Sequence, residues 1–337
     1  MEIGSFYNMS FPKLKFINKK SEKNDLFFVS GRNAITFILK SLNAKRCLLP
    51  NYLCGSVHNC FSDFDYYKIT NEFQIDLQYL TDLIEENKYD LILIINFFGY
   101  IDKNIKPIKE LCKKNNILIL EDFTHNLFSN KLYGDICVCS YRKTLPTPFG
   151  SIVKIRNNNI TFSQHNNLNF YYLYLNTCKI LGSILKNFLC LKFLWRPLLV
   201  YCENNVNNLK NYNFDYINYY FYNYYYDKEI KNIRINNIFY LKKELDLSIN
   251  PIFDACYFTL NLKCKNKITR DNMRKFFIDN KIYCPIYWPL DFDKDNKCNI
   301  SINETILSIP IDQRYTIIHM KYIINVIKSY NKQIIAF

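Results

Sequence analysis

Short apolar runs alternate with segments of helical periodicity between residues 25 and 155, and this pattern constrains the fold more than any other feature. A continuously apolar run is typical of a strand that is covered on both faces. Alternation of such strands with helices predicts a mostly parallel sheet with helices on both sides, an α/β fold. The predicted strands are 26–29, 46–49, 64–69, 91–98, 117–120 and 136–141.

The C-terminal part of the chain has a different and smaller pattern. From residue 236 it predicts a strand within 254–263, helices at 270–280 and 316–329, and hence an α+β domain. Residues 160–235 are aromatic and rich in Asn, and they give no clear periodicity. We therefore expect a large domain over 1–235, including the irregular segment 156–235, and a small α+β domain over 236–337.

The formal charge of +14, from 44 basic and 30 acidic residues, favours anionic partners. The basic residues are scattered and form no zinc-finger, RRM-like or basic-zipper pattern, so we expect an anionic small molecule rather than nucleic acid. The longest apolar stretch, 181–201, is interrupted by Lys186, Lys192, Arg196 and Pro197, so no membrane span is expected. An amphipathic helix on a membrane surface and a buried or subunit-contacting helix both stay open.

The 13 cysteines are odd in number and contain no CxxC pair, which indicates free thiols in a reducing cytoplasm. Asp291, Asp293 and Asp295 have the spacing of a calcium loop. Asn296 replaces its required Gly, however, and Ile302 replaces its final Glu. No metal site is therefore expected.

Two charged residues follow neighbouring predicted strands, at the edge where parallel sheets bind ligands. Asp122 follows the strand 117–120 and suits the pyridinium nitrogen of a cofactor, although a helix cap or surface acid is the alternative. Lys143 follows the strand 136–141 in an S-x-x-K segment that begins at Ser140. Desolvation and the charge of Arg142 would favour a nucleophilic lysine; a solvated surface lysine is the alternative.

A second group of polar residues offers phosphate and ring contacts. Residues 30–34 form a small-residue turn into a helix, and helix N-termini bind phosphate through free N–H groups. Arg32 would add a forked, charged donor there. A plain capped helix start is the alternative. His125 lies three positions after Asp122, where it suits contact with a cofactor ring or a purely structural role.

Six segments occur in the order found in the DegT/StrS-type sugar aminotransferases, which the chain resembles. They are 30–34 (SGRNA), 49–54 (LPNYLC), 96–100 (NFFGY), 121–126 (EDFTHN), 140–146 (SYRKTLP) with Gly150, and 306–315 (ILSIPIDQRY). The resemblance implies the pyridoxal 5'-phosphate (PLP)-dependent aminotransferase fold, fold type I, and a homodimer.

Carried over by position, the resemblance makes Lys143 the Schiff-base lysine and Asp122 the partner of the pyridine nitrogen. His125 corresponds to the residue near the phenolic oxygen. The residues expected at the phosphate are Gly31, Arg32, Asn33 and Ser140.

One position departs from the family pattern. Cys54 stands where the family often has an aromatic residue on the cofactor ring, and Tyr52 lies two positions before it. The sequence leaves open which of the two faces the ring.

The resemblance implies a PLP-dependent aminotransferase that acts on a nucleotide-linked keto-sugar, with glutamate as amino donor. Two alternatives stay open. One is other chemistry on the same cofactor, such as a dehydratase or a non-sugar aminotransferase. The other is a binding protein that keeps the fold without catalysis.

Overall fold

The computed structural model describes residues 2–4, 21–22, 24–164, 169–188, 192–206, 209, 215–225, 228–245, 257–288 and 300–335. Seven strands form one sheet in the order β1-β7-β6-β5-β4-β2-β3. Strands β2 to β6 run parallel, while β7 is antiparallel to both β1 and β6. The mostly parallel sheet is confirmed. The strands are β1 Leu26–Phe28, β2 Cys47–Pro50, β3 Phe64–Tyr67, β4 Leu91–Ile95, β5 Leu118–Asp122, β6 Ile136–Cys139 and β7 Ser151–Ile155.

Three single 3-10 turns follow the central strands and bring the functional candidates to one edge. Phe97–Gly99 follows β4, Thr124–Asn126 follows β5, and Tyr141–Lys143 follows β6. Because these strands are parallel neighbours, the three turns meet at the carboxyl edge of the sheet. The helices of this part of the chain are α1 Gly31–Leu42, α2 Gly55–His58, α3 Leu77–Glu86 and α4 Ile105–Lys114.

In the large sheet, four predicted strands are longer than those observed, two of them beside the functional candidates, and one observed strand was not predicted. The strand 91–98 ends at Ile95, and Phe98 in the following turn has a left-handed φ of 53°. The strand 136–141 ends at Cys139, so Lys143 lies on a turn rather than at the strand end. Strand β7 has no counterpart in the prediction because Lys154 interrupts its apolar pattern; its ammonium lies 3.1 Å from Asp25.

The irregular segment is helical. It contains α5 Phe170–Phe188, α6 Lys192–Val206, α7 Tyr216–Tyr225 and the start of α8 Lys228–Glu244. The single helix expected over 181–201 is wrong, since that stretch is divided between α5 and α6. In the part of the chain that the structure describes, no helix is long and apolar enough to cross a membrane. The Tyr-rich α7 joins the core, where Tyr222 packs 4.9 Å from the ring of Tyr141.

The C-terminal elements are built around a two-stranded antiparallel sheet. They are β8 Thr259–Lys263, α9 Lys267–Asp279, α10 Ile300–Thr305, β9 Ile306–Pro310 and α11 Ile317–Ile335. Their buried cluster is separate from that of the large sheet and also takes in Ile3, which forms a parallel bridge with Ile282. The domain division at residue 235 falls within α8 and stays a prediction. The rejected calcium-loop residues 291, 293 and 295 lie outside the described residues.

Candidate active site

A cavity of about 20 Å³ lies at the carboxyl edge of the large sheet. Four of the residues that the sequence predicts for the cofactor site line it together: Cys54, Asp122, His125 and Lys143. Their elements are consecutive in the sheet or adjacent to it, which is why residues far apart in sequence meet here. The other lining residues are Val57, Ile95, Thr124 and Trp288. No group of side chains suited to a metal ion occurs among the described residues.

Asp122 is a carboxylate whose surroundings disfavour charge. Burial raises the pKa of Asp122 above its ordinary value, while hydrogen bonding by Thr124 and the positive charge of Lys143 oppose the rise. One carboxylate oxygen accepts the Thr124 N–H at 2.9 Å. A cationic group bound beside Asp122 would stabilise its ionised form.

His125 is buried and neutral. Burial, followed by the charge of Lys143, holds the pKa of His125 well below its ordinary range. Its Nδ1 accepts the backbone N–H of Phe98 at 3.3 Å, so the hydrogen-bond pattern assigns the proton to Nε2. Among the described residues Nε2 has no partner. His125 therefore offers one buried N–H donor to a bound acceptor.

Two aromatic residues from the C-terminal part of the chain stack on His125. Phe258 lies 3.8 Å from its ring and Trp288 lies 5.1 Å away, with planes 13° and 3° from parallel. Trp288 is 7% exposed and packs with the core of the large sheet. Neither residue was predicted from the sequence to lie at the site. The available signal was the aromatic pair Tyr287–Trp288 in a segment without helical or strand periodicity.

Tyr52 and Cys54 take different positions. Tyr52 is buried in the core, stacked on Phe97 at 5.6 Å, and its hydroxyl lies 3.5 Å from the backbone oxygen of Tyr287. Cys54 lines the cavity with Asp122. The aromatic surface of the cavity thus comes from Trp288, and neither Tyr52 nor Cys54 supplies it.

The turn that carries Lys143 is fixed by close packing around Tyr141. The Tyr141 hydroxyl donates to the Asn218 backbone oxygen at 3.0 Å. Gly150, with φ 122°, lies against the same ring, and a Cβ there would fall 2.2 Å from the Tyr141 hydroxyl oxygen. Only glycine fits that conformation and that space. The packing holds the Lys143 backbone, whose N–H lies 3.2 Å from the Ser140 oxygen.

The start of α1 approaches the Ser140 segment. Ser30 caps the helix by accepting the Asn33 N–H, and a Cβ at Gly31 would lie 3.4 Å from the Ser140 Cβ. The Asn33 side chain is engaged elsewhere, because its amide donates to the Leu209 oxygen at 2.8 Å. The structure therefore brings Gly31 and Ser140 together, while Asn33 supports the turn.

Positive charge accumulates beside this turn. Burial and the nearby charge of Arg142 lower the pKa of Arg32. Arg142 donates to Glu203 at 2.7 Å, but its buried Nε has no partner among the described residues. Lys179 contacts the same carboxylate; burial lowers the pKa of Lys179 to about 8. Although burial opposes it, the charges of Arg142 and Lys179 lower the pKa of Glu203 to about 2.

Arg142 and Lys179 share one carboxylate, that of Glu203, and Arg32 lies near Arg142 at the start of α1, so the cluster carries net positive charge. A bound anion would balance that charge and satisfy the Arg142 Nε. Arg32 and Ser140 were expected from the sequence at such a place. Lys179 and Glu203 were not, because they come from the segment without clear periodicity.

A larger cleft of about 700 Å³ adjoins the cavity, and Lys143 lines both. The cleft runs along the C-terminal elements, where Phe258, Tyr283 and Tyr287 contribute aromatic walls. A molecule in the cleft has access to the Lys143 ammonium, so the two spaces form one candidate active site.

The fold is shared with solved structures of aminotransferases and of SPT, a protein solved with PLP. A DegT DnrJ EryC1 StrS aminotransferase from Brucella abortus is similar with a TM-score of 0.61 at 12% identity, covering 91% of this chain and 85% of that one. The aminotransferase TlmJ from Streptoalloteichus hindustanus is similar with a TM-score of 0.60 at 12% identity, and the match covers 92% of this chain and 86% of that one. A structure of SPT with the PLP internal aldimine is similar with a TM-score of 0.56 at 12% identity, and the match covers 94% of this chain and 74% of that one. The chain has the fold of the PLP-dependent aminotransferases.

This finding confirms the fold class expected from the sequence. No protein-family model matches the chain, and no curated protein matches it in sequence.

Proposed function

We propose that this chain is a PLP-dependent aminotransferase that transfers an amino group to a nucleotide-linked keto-sugar, with glutamate as the donor. One observation carries the proposal: Lys143 and Asp122 line the same cavity at the carboxyl edge of the parallel strands, beside a buried N–H donor of His125. A nucleophile, an acid partner and a donor at one strand edge are the groups that a pyridoxal ring requires.

The residues present fit this cofactor. Asp122 would hold the pyridine nitrogen in its protonated form, and the Nε2–H of His125 would donate to the phenolic oxygen. Arg32, Arg142, Ser140 and the start of α1 would hold the phosphate. The specific support is the buried Arg142 Nε, which has no hydrogen-bond partner among the described residues. When bound, PLP supplies an electron sink for negative charge that develops at the substrate carbon.

Lys143 would act twice. Its amine is the nucleophile that attaches the cofactor, and after release by the substrate it is the base that moves a proton at the substrate α-carbon. Its position between the cavity and the cleft suits both roles, because one face meets the cofactor and the other meets the substrate. Trp288 and Phe258 would exclude water from this reaction zone.

The charge of the cleft, together with the fold, supports the proposed amino acceptor and amino donor. The cleft is lined by basic side chains, which suits an anionic, nucleotide-linked substrate and a dicarboxylic donor. The Brucella abortus structure named above is a DegT DnrJ EryC1 StrS aminotransferase.

We also propose a homodimer in a reducing, cytoplasmic compartment. Phe170, Phe188 and Phe193 on the α5–α6 pair are 79%, 74% and 71% exposed, which suits burial against a second copy. All ten cysteines in the described part of the chain are free thiols. Sedimentation analysis of the full chain tests the dimer, and a monomer at micromolar concentration would refute it.

Borohydride trapping tests the central proposal. The protein with PLP should absorb in the visible region, and reduction should fix the cofactor on Lys143 in peptide maps. In a separate sample that has not been reduced, glutamate should convert the spectrum to that of the amine form of the cofactor. An adduct on another lysine, or none, would refute cofactor attachment. A Lys143 adduct in the reduced sample, with no response to glutamate in the unreduced one, would refute that donor.

A further inference from the structure

The large cleft carries an excess of positive charge. Of the described residues that line it, four are basic, Lys143, Arg234, Arg274 and Arg314, and one is acidic, Asp312. A cleft of one sign with apolar walls attracts a ligand of the opposite sign. The ligand that complements this charge carries more than one negative charge.

Two of the arginines are already engaged by the protein. Arg314 forms a two-point pair with Asp312, at 2.7 and 2.9 Å. Arg234 is 1% exposed, and its guanidinium donates to the Gln313 side chain at 3.0 Å and to the backbone oxygens of Thr144 and Phe258 at 3.2 Å. These two residues fix the walls of the cleft.

Arg274 is different. It stands on α9, and its Nε donates to the Cys284 backbone oxygen at 3.2 Å, which orients the guanidinium. Among the described residues no carboxylate lies within ion-pair distance of Arg274. An arginine has five N–H donors, and the other four of Arg274 have no partner in the described part of the chain; they form an oriented fork of the kind that matches phosphate oxygens.

Aromatic side chains lie on the same cleft as Arg274. Phe258 and Tyr287 have ring centroids 5.6 Å apart, and Tyr283 is one residue before the Cys284 that orients Arg274. Aromatic faces next to a forked cation recognise a planar base attached to phosphate. We propose that Arg274 binds the diphosphate of a nucleoside-diphosphate-linked substrate in this cleft.

The assignment of this subsite rests on the proposed function, because the subsite is where the nucleotide part of that substrate would bind. Calorimetric titration of the full chain with uridine diphosphate, with and without added PLP, tests it separately from catalysis. Arg274→Ala should weaken uridine diphosphate binding about ten- to a hundredfold, because a charge-assisted contact is lost. Arg274→Lys should recover part of the loss.

Lys275→Ala is the matched control. Lys275 is the next residue of α9, is exposed, and does not line the cleft, so this variant removes the same charge from the same helix. It should leave uridine diphosphate binding within about twofold, because a distant surface charge is screened. Unfolding midpoints of both variants show whether either change disturbs the fold.

The outcomes separate the two proposals. Equal losses in Arg274→Ala and Lys275→Ala, or no binding of uridine diphosphate to the unaltered protein, would overturn the subsite. The subsite would also be overturned if Arg274→Ala lost glutamate binding but kept uridine diphosphate binding. That result would assign Arg274 to the donor carboxylate. Uridine diphosphate binding that depends on Arg274 in a protein without a Lys143 adduct would keep the subsite and refute the aminotransferase.

Discussion

The indole of Trp288 lies parallel to the imidazole of His125, with ring centroids 5.1 Å apart and planes 3° from parallel. Trp288 reaches this position with a left-handed φ of 54°, which costs a bulky residue about 1–2 kcal/mol. Backbone strain of this kind is held at functional sites by the surrounding contacts. Here packing on His125 and Tyr52, and a 2.7 Å hydrogen bond from Asn303 to the Trp288 oxygen, hold it.

Trp288 should therefore report cofactor binding. The chain has two tryptophans, so Trp195→Phe leaves Trp288 as the only indole. Because Trp288 lines the cavity with Asp122 and Lys143, PLP should quench its emission with the same midpoint as the rise in visible absorbance. Trp288→Phe, which keeps Trp195, is the control, and PLP should quench its tryptophan emission less. Equal quenching in both proteins would place the cofactor away from Trp288.

Asp122→Asn should impair catalysis more than folding. The amide keeps the size of the side chain and its acceptor for the Thr124 N–H, but it removes the charge that would hold the pyridine proton. We expect a loss of at least about 2.7 kcal/mol in transition-state stabilisation, roughly a hundredfold in rate. Single-turnover rates with glutamate measure it. Turnover near that of the unaltered protein would make Asp122 a structural cap.

The neighbouring Glu121 should show the opposite behaviour. Its buried carboxylate accepts the backbone N–H groups of Tyr133 and Gly134 at 2.5 and 2.7 Å and the Asn96 amide at 2.8 Å. Glu121→Gln sets an NH₂ group against these donors and should cost about 1–3 kcal/mol of unfolding free energy. Urea unfolding measures the loss. The protein that stays folded should keep its PLP affinity, and a loss of affinity would contradict this separation of roles.

Arg32 should contribute to PLP affinity through charge. Arg32→Ala should weaken PLP binding about ten- to a hundredfold, since it removes a charge-assisted contact from a partly buried cationic cluster. Arg32→Lys should recover part of the loss. Lys40→Ala, in the last turn of the same helix, is the control and should change affinity less than about twofold. If Arg32→Ala matches this control, the backbone and Arg142 hold the phosphate without Arg32.

The sequence predicted the sheet and the strand-edge residues because both follow local rules. Apolar runs mark buried strands; Asp122 ends one of them, and Lys143 lies on the turn that follows the next. Contacts between residues that are distant in sequence could not be predicted from local patterns. Trp288 reaches the cavity only through tertiary packing, and Glu203 pairs with Arg142 from a helix whose sequence has no clear periodicity. Tyr52 and Cys54 are two positions apart, and only the three-dimensional packing separates them.

His125 should make stability fall in mild acid. Its pKa in the folded protein is held well below its ordinary value of 6.5, so the unfolded chain binds a proton there that the folded one does not. Unfolding free energy should therefore fall as pH drops through about 6.5, by about 1.4 kcal/mol at one pH unit below it. His125→Gln removes this dependence while its amide retains an acceptor for the Phe98 N–H and a donor for the cofactor. Urea unfolding at about pH 7.5 and about pH 5.5 compares the two proteins, and other titrating groups contribute alike to both. An equal acid loss in both would mean that His125 titrates normally and that a charged imidazole occupies the site.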